Sequence, residues 1–262
     1  MIEAKNLSSG YGRDVIEIDE MCIKKGEITA IIGCNGSGKT TLLKTLSGVL
    51  RHRGKLLADD RNISLLPKKE RARLISYLPQ SLKGVDMDTE TLVAHGRYPY
   101  MGLYGGLRES DIECIKRAMA ITDVNNIANK KVSAISGGER QRAYIAMSIA
   151  QDAGYMLFDE PCTYMDISHQ LKFIEIIRKL KAQGKGIVIT SHDLPFSFTV
   201  SDKIYIMKEG RLTGRGKPDD SGDLEELSKA TKKAMGVNII RNVINSSLDS
   251  DCKLIYDYSI VH

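Results

Sequence analysis

The chain has 262 residues, and its 38 Lys and Arg against 33 Asp and Glu give a formal net charge of +5. This length suits one large domain or two small ones. Hydrophobic residues make up 42%, which is enough for a sizeable core and excludes wholesale disorder. The charge is too balanced to argue for nucleic acid by itself.

The five cysteines, at positions 22, 34, 114, 162 and 252, form no Cys-x-x-Cys pair. Their spacing argues against a zinc knuckle or a thioredoxin-type motif and suggests reduced thiols in a cytosolic protein. No apolar run approaches the roughly 18 residues of a membrane span. The first residues also lack the apolar segment of a signal peptide. We therefore expect a soluble chain whose membrane role depends on a partner.

Short apolar runs along the chain predict strands. Near the N-terminus, Ile2–Leu7 and Val15–Ile23 are typical of antiparallel strands. Three later runs show little alternation, which favours strands covered on both faces: Ile28–Ile32, Tyr155–Phe158 and Ile187–Thr190.

Helical patterns lie between these runs, at Thr40–Leu50, Glu139–Ala150 and Gln170–Gln183. In the last of them, the apolar residues recur at helical spacing: Leu171, Ile174, Ile177 and Leu180. Strands that alternate with helices predict crossover units and a mostly parallel α/β sheet.

The stretch from about residue 82 to 154 differs, because it has Gly-rich loops and helical segments but no strong strand. We expect a helical insertion in the α/β core, with one helix near Asp111–Ile121. After the core, Glu209-Gly210 is a plausible hairpin turn between strands at Ile204–Met207 and Arg211–Thr213. The tail has two more strand-like runs, at Val237–Ile244 and Leu254–Val261, around the polar stretch Asn245–Lys253.

Residues 33–40 have the form Gly-x-x-x-x-Gly-Lys-Thr and lie between a predicted strand and a predicted helix. A phosphate-binding loop requires this context, because glycines let backbone N–H groups approach phosphate and the helix start attracts the same anion. Lys39 would supply charge to the β- and γ-phosphates, and the Thr40 hydroxyl would bind Mg²⁺. We predict a nucleotide site at Gly33, Asn35, Gly36, Ser37, Gly38, Lys39, Thr40 and Thr41.

An apolar strand that ends in Asp159 and Glu160 supplies the acidic part of such a site. Asp159 is expected to hold the Mg²⁺ shell, and Glu160 to polarise a water for attack on the γ-phosphate. His192 follows the next strand and can donate a hydrogen bond to the γ-phosphate. Gln80 follows another short apolar run, and its amide can contact Mg²⁺ or the water. Because an open α/β sheet binds its ligand at the strand ends, we assign Gln80, Glu160 and His192 to catalysis, and Thr40, Gln80 and Asp159 to the metal.

A second glycine-rich stretch, Ile135-Ser136-Gly137-Gly138-Glu139-Arg140-Gln141-Arg142, opens a helix and is another preformed anion site. It resembles the signature motif of ABC-type ATPases, which is usually Leu-Ser-Gly-Gly-Gln. The resemblance implies that two subunits pair head to tail, and that Ser136, Gly137 and Gly138 of each cap the γ-phosphate held by the other. Ile135 and Glu139 depart from the usual Leu and Gln. The departures are mild, because Ser136 and the glycine amides, which would contact the phosphate, remain.

The remaining motifs follow in the order of this family, over roughly residues 1–215. The resemblance implies that Tyr11 stacks on adenine, that Gln80 is the Q-loop residue, that Asp159 and Glu160 form the Walker B segment, and that His192 is the switch histidine. In the D-loop, Thr163-Tyr164-Met165-Asp166, it implies that Asp166 helps to align the facing subunit.

The family fold is α/β: a P-loop NTPase core of the RecA type, with an N-terminal antiparallel β subdomain and an inserted α-helical subdomain. We accordingly expect a single ABC ATPase domain over residues 1–262. Its nucleotide-binding core would cover 1–81 and 155–221, its helical signature subdomain 82–154, and its C-terminal extension 222–262.

The segment Val93-Ala94-His95-Gly96-Arg97-Tyr98-Pro99-Tyr100 gives a narrower likeness. It is similar to the Gly-Arg-Tyr-Pro segment of ATPase subunits that import iron–siderophore complexes, haem and vitamin B12, and the run Tyr164–Gln170 is similar to the same subfamily. In these importers the region after the Q-loop forms a groove for a short cytoplasmic helix of the permease.

The likeness implies ATP and Mg²⁺ as cofactors and a place at the cytoplasmic face of the cell membrane. The implied partners are a second copy of the chain, integral membrane permease subunits and, indirectly, an extracytoplasmic solute-binding protein, but no nucleic acid. Other ABC proteins stay open as alternatives. A non-transport ATPase of iron–sulfur cluster assembly shares every catalytic motif, and an exporter ATPase has no specific signal here. Nucleic-acid-associated ABC proteins generally carry two ATPase units or long coiled coils, whereas this sequence has a single phosphate-loop motif and no long heptad run.

Overall fold

The computed structural model describes residues 1–102, 105–163, 165–244 and 255–261. Within these ranges the strands are β1 Ile2–Gly10, β2 Asp14–Ile23, β3 Ile28–Ile32, β4 His52–Ala58, β5 Arg61–Asn62, β6 Ile75–Leu78, β7 Tyr155–Asp159, β8 Gly186–Ser191, β9 Lys203–Lys208, β10 Arg211–Gly216, β11 Asn238–Ile244 and β12 Ile255–Val261. The helices are α1 Lys39–Leu46, α2 Lys68–Leu74, α3 Thr89–Ala94, α4 Glu109–Ile121, α5 Gly137–Ala150, α6 Ile167–Ala182, α7 Leu194–Val200 and α8 Ser221–Met235.

The central sheet has the strand order β10-β9-β3-β8-β7-β6, with β10 antiparallel at its edge and the other five parallel. Its inner strands are buried on both faces, which is why they are nearly continuous apolar runs. The three predicted runs are confirmed as β3, β7 and β8. The predicted hairpin is also confirmed, and its turn residues Glu209 and Gly210 both have positive φ, as a tight hairpin turn requires.

A second, antiparallel sheet has the order β2-β1-β4-β5 and shares a core with α1 and one face of the central sheet. It confirms the predicted antiparallel pair at the N-terminus. Helix α1 is shorter than the predicted Thr40–Leu50, because it ends at Leu46 and Gly48 then takes the left-handed conformation that terminates helices.

Helices α3, α4 and α5 form a third core of their own between β6 and β7. In the described part of residues 82–154 the β-structure is limited to a single bridge between Asp88 and Lys131. The expectation of a helical insertion is therefore confirmed, whereas the domain limits given above remain a prediction. None of the helices in the described residues combines the length and apolar character that a membrane crossing needs.

Two expectations need correction. Helix α6 buries Phe173, Ile176, Ile177 and Leu180, while Leu171 is 57% exposed, so the predicted apolar stripe was rotated. Helix α8 lies in the tail, where only strands were expected, with an Asp220 N-cap. The tail strands are confirmed as the antiparallel pair β11 and β12. The polar stretch 245–253, together with Leu254 and Tyr164, lies outside the described residues.

Candidate nucleotide-binding site

The predicted phosphate loop connects β3 to α1 at the carboxyl edge of the central sheet. Gly36 and Gly38 have φ values of 78° and 104°, which favour glycine over other residues. Gly33 is packed so closely that a Cβ atom would lie 2.3 Å from the carbonyl oxygen of Met207. The loop backbone therefore depends on glycine at these three positions.

Lys39, at the start of α1, is buried inside this loop. Its Nζ donates hydrogen bonds to the carbonyl oxygens of Gly33 at 2.7 Å and Cys34 at 3.1 Å. Burial lowers the pKa of Lys39, and the nearby carboxylates of Glu160 and Asp159 partly oppose that shift. The ammonium group thus lies between the loop and the acidic strand end. A bound anion there would offset the free-energy cost of burying its charge.

Ser37, in the same loop, has a buried hydroxyl with no hydrogen-bond partner among the described residues. A buried polar atom of this kind is costly unless a ligand or water completes it. Together with the glycine backbone and Lys39, this orphaned hydroxyl fits a phosphate group.

Asp159, the last residue of β7, is buried and held by two hydroxyl groups. Its carboxylate accepts hydrogen bonds from Thr190 Oγ1 at 2.7 Å and from the Tyr77 hydroxyl at 3.2 Å. Burial and the neighbouring Asp159 raise the pKa of Tyr77, so Tyr77 stays a donor. These two contacts fix the carboxylate at the strand edge.

Glu160 follows with a φ of 48°, a left-handed conformation that is uncommon for a residue with a side chain. Its backbone N–H donates to Thr190 Oγ1 at 2.9 Å. The Thr190 hydroxyl therefore bridges both acidic residues. The sharp turn at Glu160 directs its side chain differently from that of Asp159.

The Glu160 carboxylate is the meeting point of three segments. Its Oε2 accepts a hydrogen bond from Gln80 Nε2 at 2.8 Å and lies 3.3 Å from His192 Nδ1. The sequence separates these residues widely, but the ends of β6, β7 and β8 bring them together. Two of the predicted catalytic residues, Gln80 and His192, are thus in direct contact with the third, Glu160.

A cavity of about 570 Å³ opens beside this cluster. It is lined by nine of the predicted residues: Asn35, Gly36, Gly38, Lys39, Thr40, Thr41, Gln80, Glu160 and His192. Gly33, Ser37 and Asp159 belong to the same loop and strand end without lining the cavity itself. A phosphate chain, a cation and a water would find in it a lysine, backbone donors, hydroxyls and the Glu160 carboxylate.

The other predicted residues do not line this cavity. Tyr11 is 58% exposed and its hydroxyl accepts a hydrogen bond from Lys44 of α1 at 3.2 Å. Ser136, with Gly137 and Gly138, lies at the start of α5 in the helical region. Asp166 is the N-cap of α6 and accepts hydrogen bonds from Ser168 and from the backbone of His169.

At the start of α5, Ser136 and Glu139 form a reciprocal cap. Glu139 Oε2 accepts hydrogen bonds from the Ser136 N–H at 2.9 Å and from its hydroxyl at 2.8 Å. The Glu139 N–H in turn donates to Ser136 Oγ at 3.3 Å. The hydrogen bonds from Ser136 hold the pKa of Glu139 below its usual range, so a negative charge stands beside this helix start.

Four residues of the site were not predicted. Val15 and Thr163 line the cavity, and Tyr77 and Thr190 orient the acidic pair. Tyr77 lies three residues before Gln80 and Thr190 two before His192, but single hydroxyls inside apolar strands carry no sequence signal of their own. The sheet register reveals Thr190, because β7 pairs Asp159 with Thr190 of β8, and the side-chain hydrogen bond to Asp159 reveals Tyr77.

Comparison with known proteins agrees with this geometry. The family model described as ABC transporter matches residues 17–163. The chain is 38% identical to the probable siderophore transport system ATP-binding protein YusV of Bacillus subtilis, over 84% of this chain and 81% of that protein. It is 37% identical to the ferric enterobactin transport ATP-binding protein FepC of Escherichia coli, over 84% and 82%.

Among solved structures, the dimeric structure of MJ0796, a bacterial ABC transporter cassette, superposes with a TM-score of 0.75. The match has 24% identity and covers 84% of this chain and all of the other, so it shows a shared fold. The phosphate loop, the acidic strand end and the relatives lead to one conclusion: the chain belongs to the ABC transporter family of ATP-binding proteins.

Proposed function

We propose that the chain is the ATP-hydrolysing subunit of an importer for iron–siderophore complexes or similar metal chelates. The observation that carries the catalytic part is the contact of Gln80 and His192 with Glu160 at the edge of a cavity that also contains Lys39. The transported solute rests on likeness, since relatives at 37–38% identity carry siderophore and ferric enterobactin transport in their names.

Phosphates of ATP would be held by the loop backbone, the Lys39 ammonium and the orphaned Ser37 hydroxyl. The donor set also fits Mg²⁺, which prefers oxygen ligands: the Thr40 hydroxyl, the Asp159 carboxylate and the Gln80 amide oxygen. When bound, Mg²⁺ neutralises charge on the β- and γ-phosphates. Tyr11 would stack on the adenine ring.

Glu160 would accept a proton from the water that attacks the γ-phosphate. A general base needs an unprotonated oxygen within reach of its water, and Glu160 borders the cavity with one carboxylate oxygen outside the contacts to Gln80 and His192. His192, 60% exposed, would donate to the γ-phosphate and orient the base.

A second copy of the chain would complete the site. Ser136, Gly137 and Gly138 lie at an exposed helix start outside their own chain's cavity, which fits a contact made with a facing subunit. Asp166, exposed at the start of α6, would align the two copies. ATP binding would close this pair, and hydrolysis would reopen it.

The permease partner would dock at an apolar groove in the helical region, placing the subunit at the cytoplasmic face of the membrane. This groove has a volume of about 390 Å³, and Tyr98, Leu107 and Ile112 are exposed in it. Arg97 belongs to the segment that carries the importer likeness, but it is buried, so its charge reversal would test folding and not docking. Substitution of Tyr98 or Ile112 tests docking.

The decisive experiment for catalysis is Glu160→Gln in the full chain, which keeps the size of the side chain and removes the base. We expect ATP affinity within about threefold of the unaltered chain, and a turnover lower by roughly 10²–10⁴-fold, the usual contribution of one general base. Glu175→Gln, an exposed acid on α6, is the matched control and should change neither quantity. Hydrolysis by Glu160→Gln at the control's rate would contradict the role of Glu160.

A further inference from the structure

The segment His95–Tyr100, a 3₁₀ turn after α3, contains a buried arginine that the catalytic account does not use. Arg97 donates from Nε to Asp111 Oδ1 at 2.9 Å and from Nη1 to the carbonyl oxygen of Ala150 at 2.7 Å. The Tyr100 ring covers its guanidinium at 3.9 Å. Arg97 therefore connects the first turn of α4 to the last turn of α5.

Gly96 presses the same segment against α5. A Cβ on Gly96 would lie 2.3 Å from the carbonyl oxygen of Met147 and 2.9 Å from the backbone nitrogen of Gln151. Gln151, directly after α5, donates to the carbonyl oxygen of Ala72 at 2.6 Å. The C-terminal end of α5 is thus clamped by Arg97 and Gly96 and tied back to α2.

The other end of α5 reaches the catalytic loop. Gln141, 2% exposed in the second turn, donates from Nε2 to the carbonyl oxygen of Pro161 at 2.8 Å. Pro161 follows Glu160 directly, so Gln141 holds the backbone next to the proposed base. Gln141 and Ala150 are nine positions apart, a rise of about 13 Å along one helix.

The clamp also borders the apolar groove. Tyr98 is the neighbour of Arg97, and Ile112 follows Asp111, and both line the groove. A displacement of the groove wall would thus move the Arg97–Asp111 pair first. Through the Arg97 contact with Ala150 it would then move α5, whose other end contacts the residue after Glu160.

We propose that Arg97 and Gln141 are positioning residues that couple the groove to Glu160 through α5. The inference rests on the proposed role of Glu160 and adds a path within one chain. The pairing favours this role over simple stabilisation, because a buried ion pair is a poor stabiliser compared with apolar packing of the same volume. The planar guanidinium of Arg97 donates to Asp111 and to the Ala150 carbonyl at once, which a lysine ammonium on a flexible stem does not reproduce.

The test is a double-mutant cycle in the full chain with Arg97→Lys and Gln141→Leu. Lysine keeps the charge opposite Asp111 but lacks the planar fork that reaches both α4 and α5. We expect each single change to lower kcat by roughly 10- to 100-fold, since a misplacement of about 1 Å at a catalytic group costs on the order of 10²-fold. ATP affinity, measured by titration, should stay within about threefold, since neither side chain borders the nucleotide cavity.

In the double variant, the two effects on kcat should fail to multiply, because the path is already broken once either contact is lost. Effects on urea-induced unfolding should add, as they do for sites more than about 10 Å apart. A purely structural role would give independent effects on both quantities. Multiplicative effects on kcat, or a kcat unchanged in Arg97→Lys, would overturn the inference.

Two further variants separate the possible failures. Arg97→Met combined with Asp111→Leu removes the buried pair as a whole, so a recovered unfolding midpoint with a persistently low kcat supports positioning, and recovery of both contradicts it. Lys131→Met removes an exposed ion pair with Asp86 in the same region and should leave kcat and stability unchanged. Glu160→Gln sets the level of lost turnover; normal hydrolysis there would contradict the proposed function, irrespective of the cycle.

Discussion

In the described residues, the starts of α1 and α5 both carry glycine-rich motifs suited to an anion, and they differ in their surroundings. The start of α1 faces a cavity with Lys39, Glu160 and His192 around it. The start of α5 is exposed, and Ser136 there is already bonded to Glu139. The first lies in a pocket of its own chain, whereas the second presents exposed donors outside that cavity. This difference supports the proposal that the second helix start acts on a nucleotide held by a facing subunit.

The two regions are also held in place by different means. The nucleotide cavity is shaped by the glycine-rich loop and by strand ends. Most of its lining residues therefore lie within or next to sequence motifs. Buried polar side chains fix the helical region instead, as Arg97 and Gln141 do by reaching backbone carbonyls far along the chain. We therefore expect substitutions in the first region to change binding and chemistry, and those in the second to change stability and coupling.

The largest effect on ATP affinity should come from Lys39→Ala in the first region. It removes the ammonium from the phosphate loop, and a hydrogen bond to a charged group contributes about 1.5–3 kcal/mol, or roughly 10- to 100-fold in affinity. Equilibrium titration with ATP measures the loss. Lys131→Ala, in the helical region, is the control and should bind normally. Equal affinity of the two variants would contradict the assignment of the loop.

A smaller effect is expected in the helical region, where stability to unfolding should depend on pH through Asp111. Burial alone raises the pKa of Asp111, but hydrogen bonds from the Arg108 N–H and Arg97 outweigh it and hold that pKa below its usual value. A depressed pKa contributes stability that is present above the unfolded value of about 3.9 and is lost as the pH falls through the folded value.

Urea unfolding at a series of pH values measures this contribution. The unaltered chain should lose it only below about pH 4, whereas Asp111→Asn should be less stable at neutral pH and lack that acid-dependent step. Asp86→Asn, on the exposed pair with Lys131, is the control. An identical acid profile for Asp111→Asn and the unaltered chain would remove the buried pair from the account.

The smallest effect concerns the start of α5. Glu139→Gln removes the negative charge beside Ser136 while keeping an oxygen that can accept its hydrogen bonds. Loss of a charged cap should lower stability by about 0.3–1 kcal/mol. A facing phosphate would be repelled less, so a nucleotide-dependent dimer should form at lower protein concentration. A dimer weakened by this change would argue against an anion at this helix start.

The sequence predicts most of the central sheet, because strands buried on both faces are continuous apolar runs. It failed for β4, whose first half includes the half-buried His52 and the exposed Arg53 and Lys55. It also failed for α8, although Asp220 before the helix and Gly236 after it are ordinary helix-end signals. Apolar spacing alone misplaced the buried face of α6, where Phe173 and Ile176 replace Leu171 in the core.

For the candidate site, motif residues were predictable because loop chemistry and strand ends fix them locally. The supporting contacts were not, since they depend on tertiary pairing. Thr190 reaches Asp159 only through strand register, and the partners of Arg97 lie 14 and 53 residues away. From sequence alone, a long charged side chain such as Arg97 is expected at the surface, and only its tertiary partners show that it is buried.

The central claim is that the two helix starts meet across two copies of the chain around ATP. Size-exclusion chromatography with light scattering of Glu160→Gln, with and without MgATP, tests it directly. We expect a monomer without nucleotide and a stable dimer with MgATP, because binding persists while turnover is lost. Adding Ser136→Arg should dissolve that dimer by forcing a bulky side chain into the facing site. A Glu160→Gln chain that binds MgATP and stays monomeric, or a dimer indifferent to Ser136→Arg, would contradict the claim.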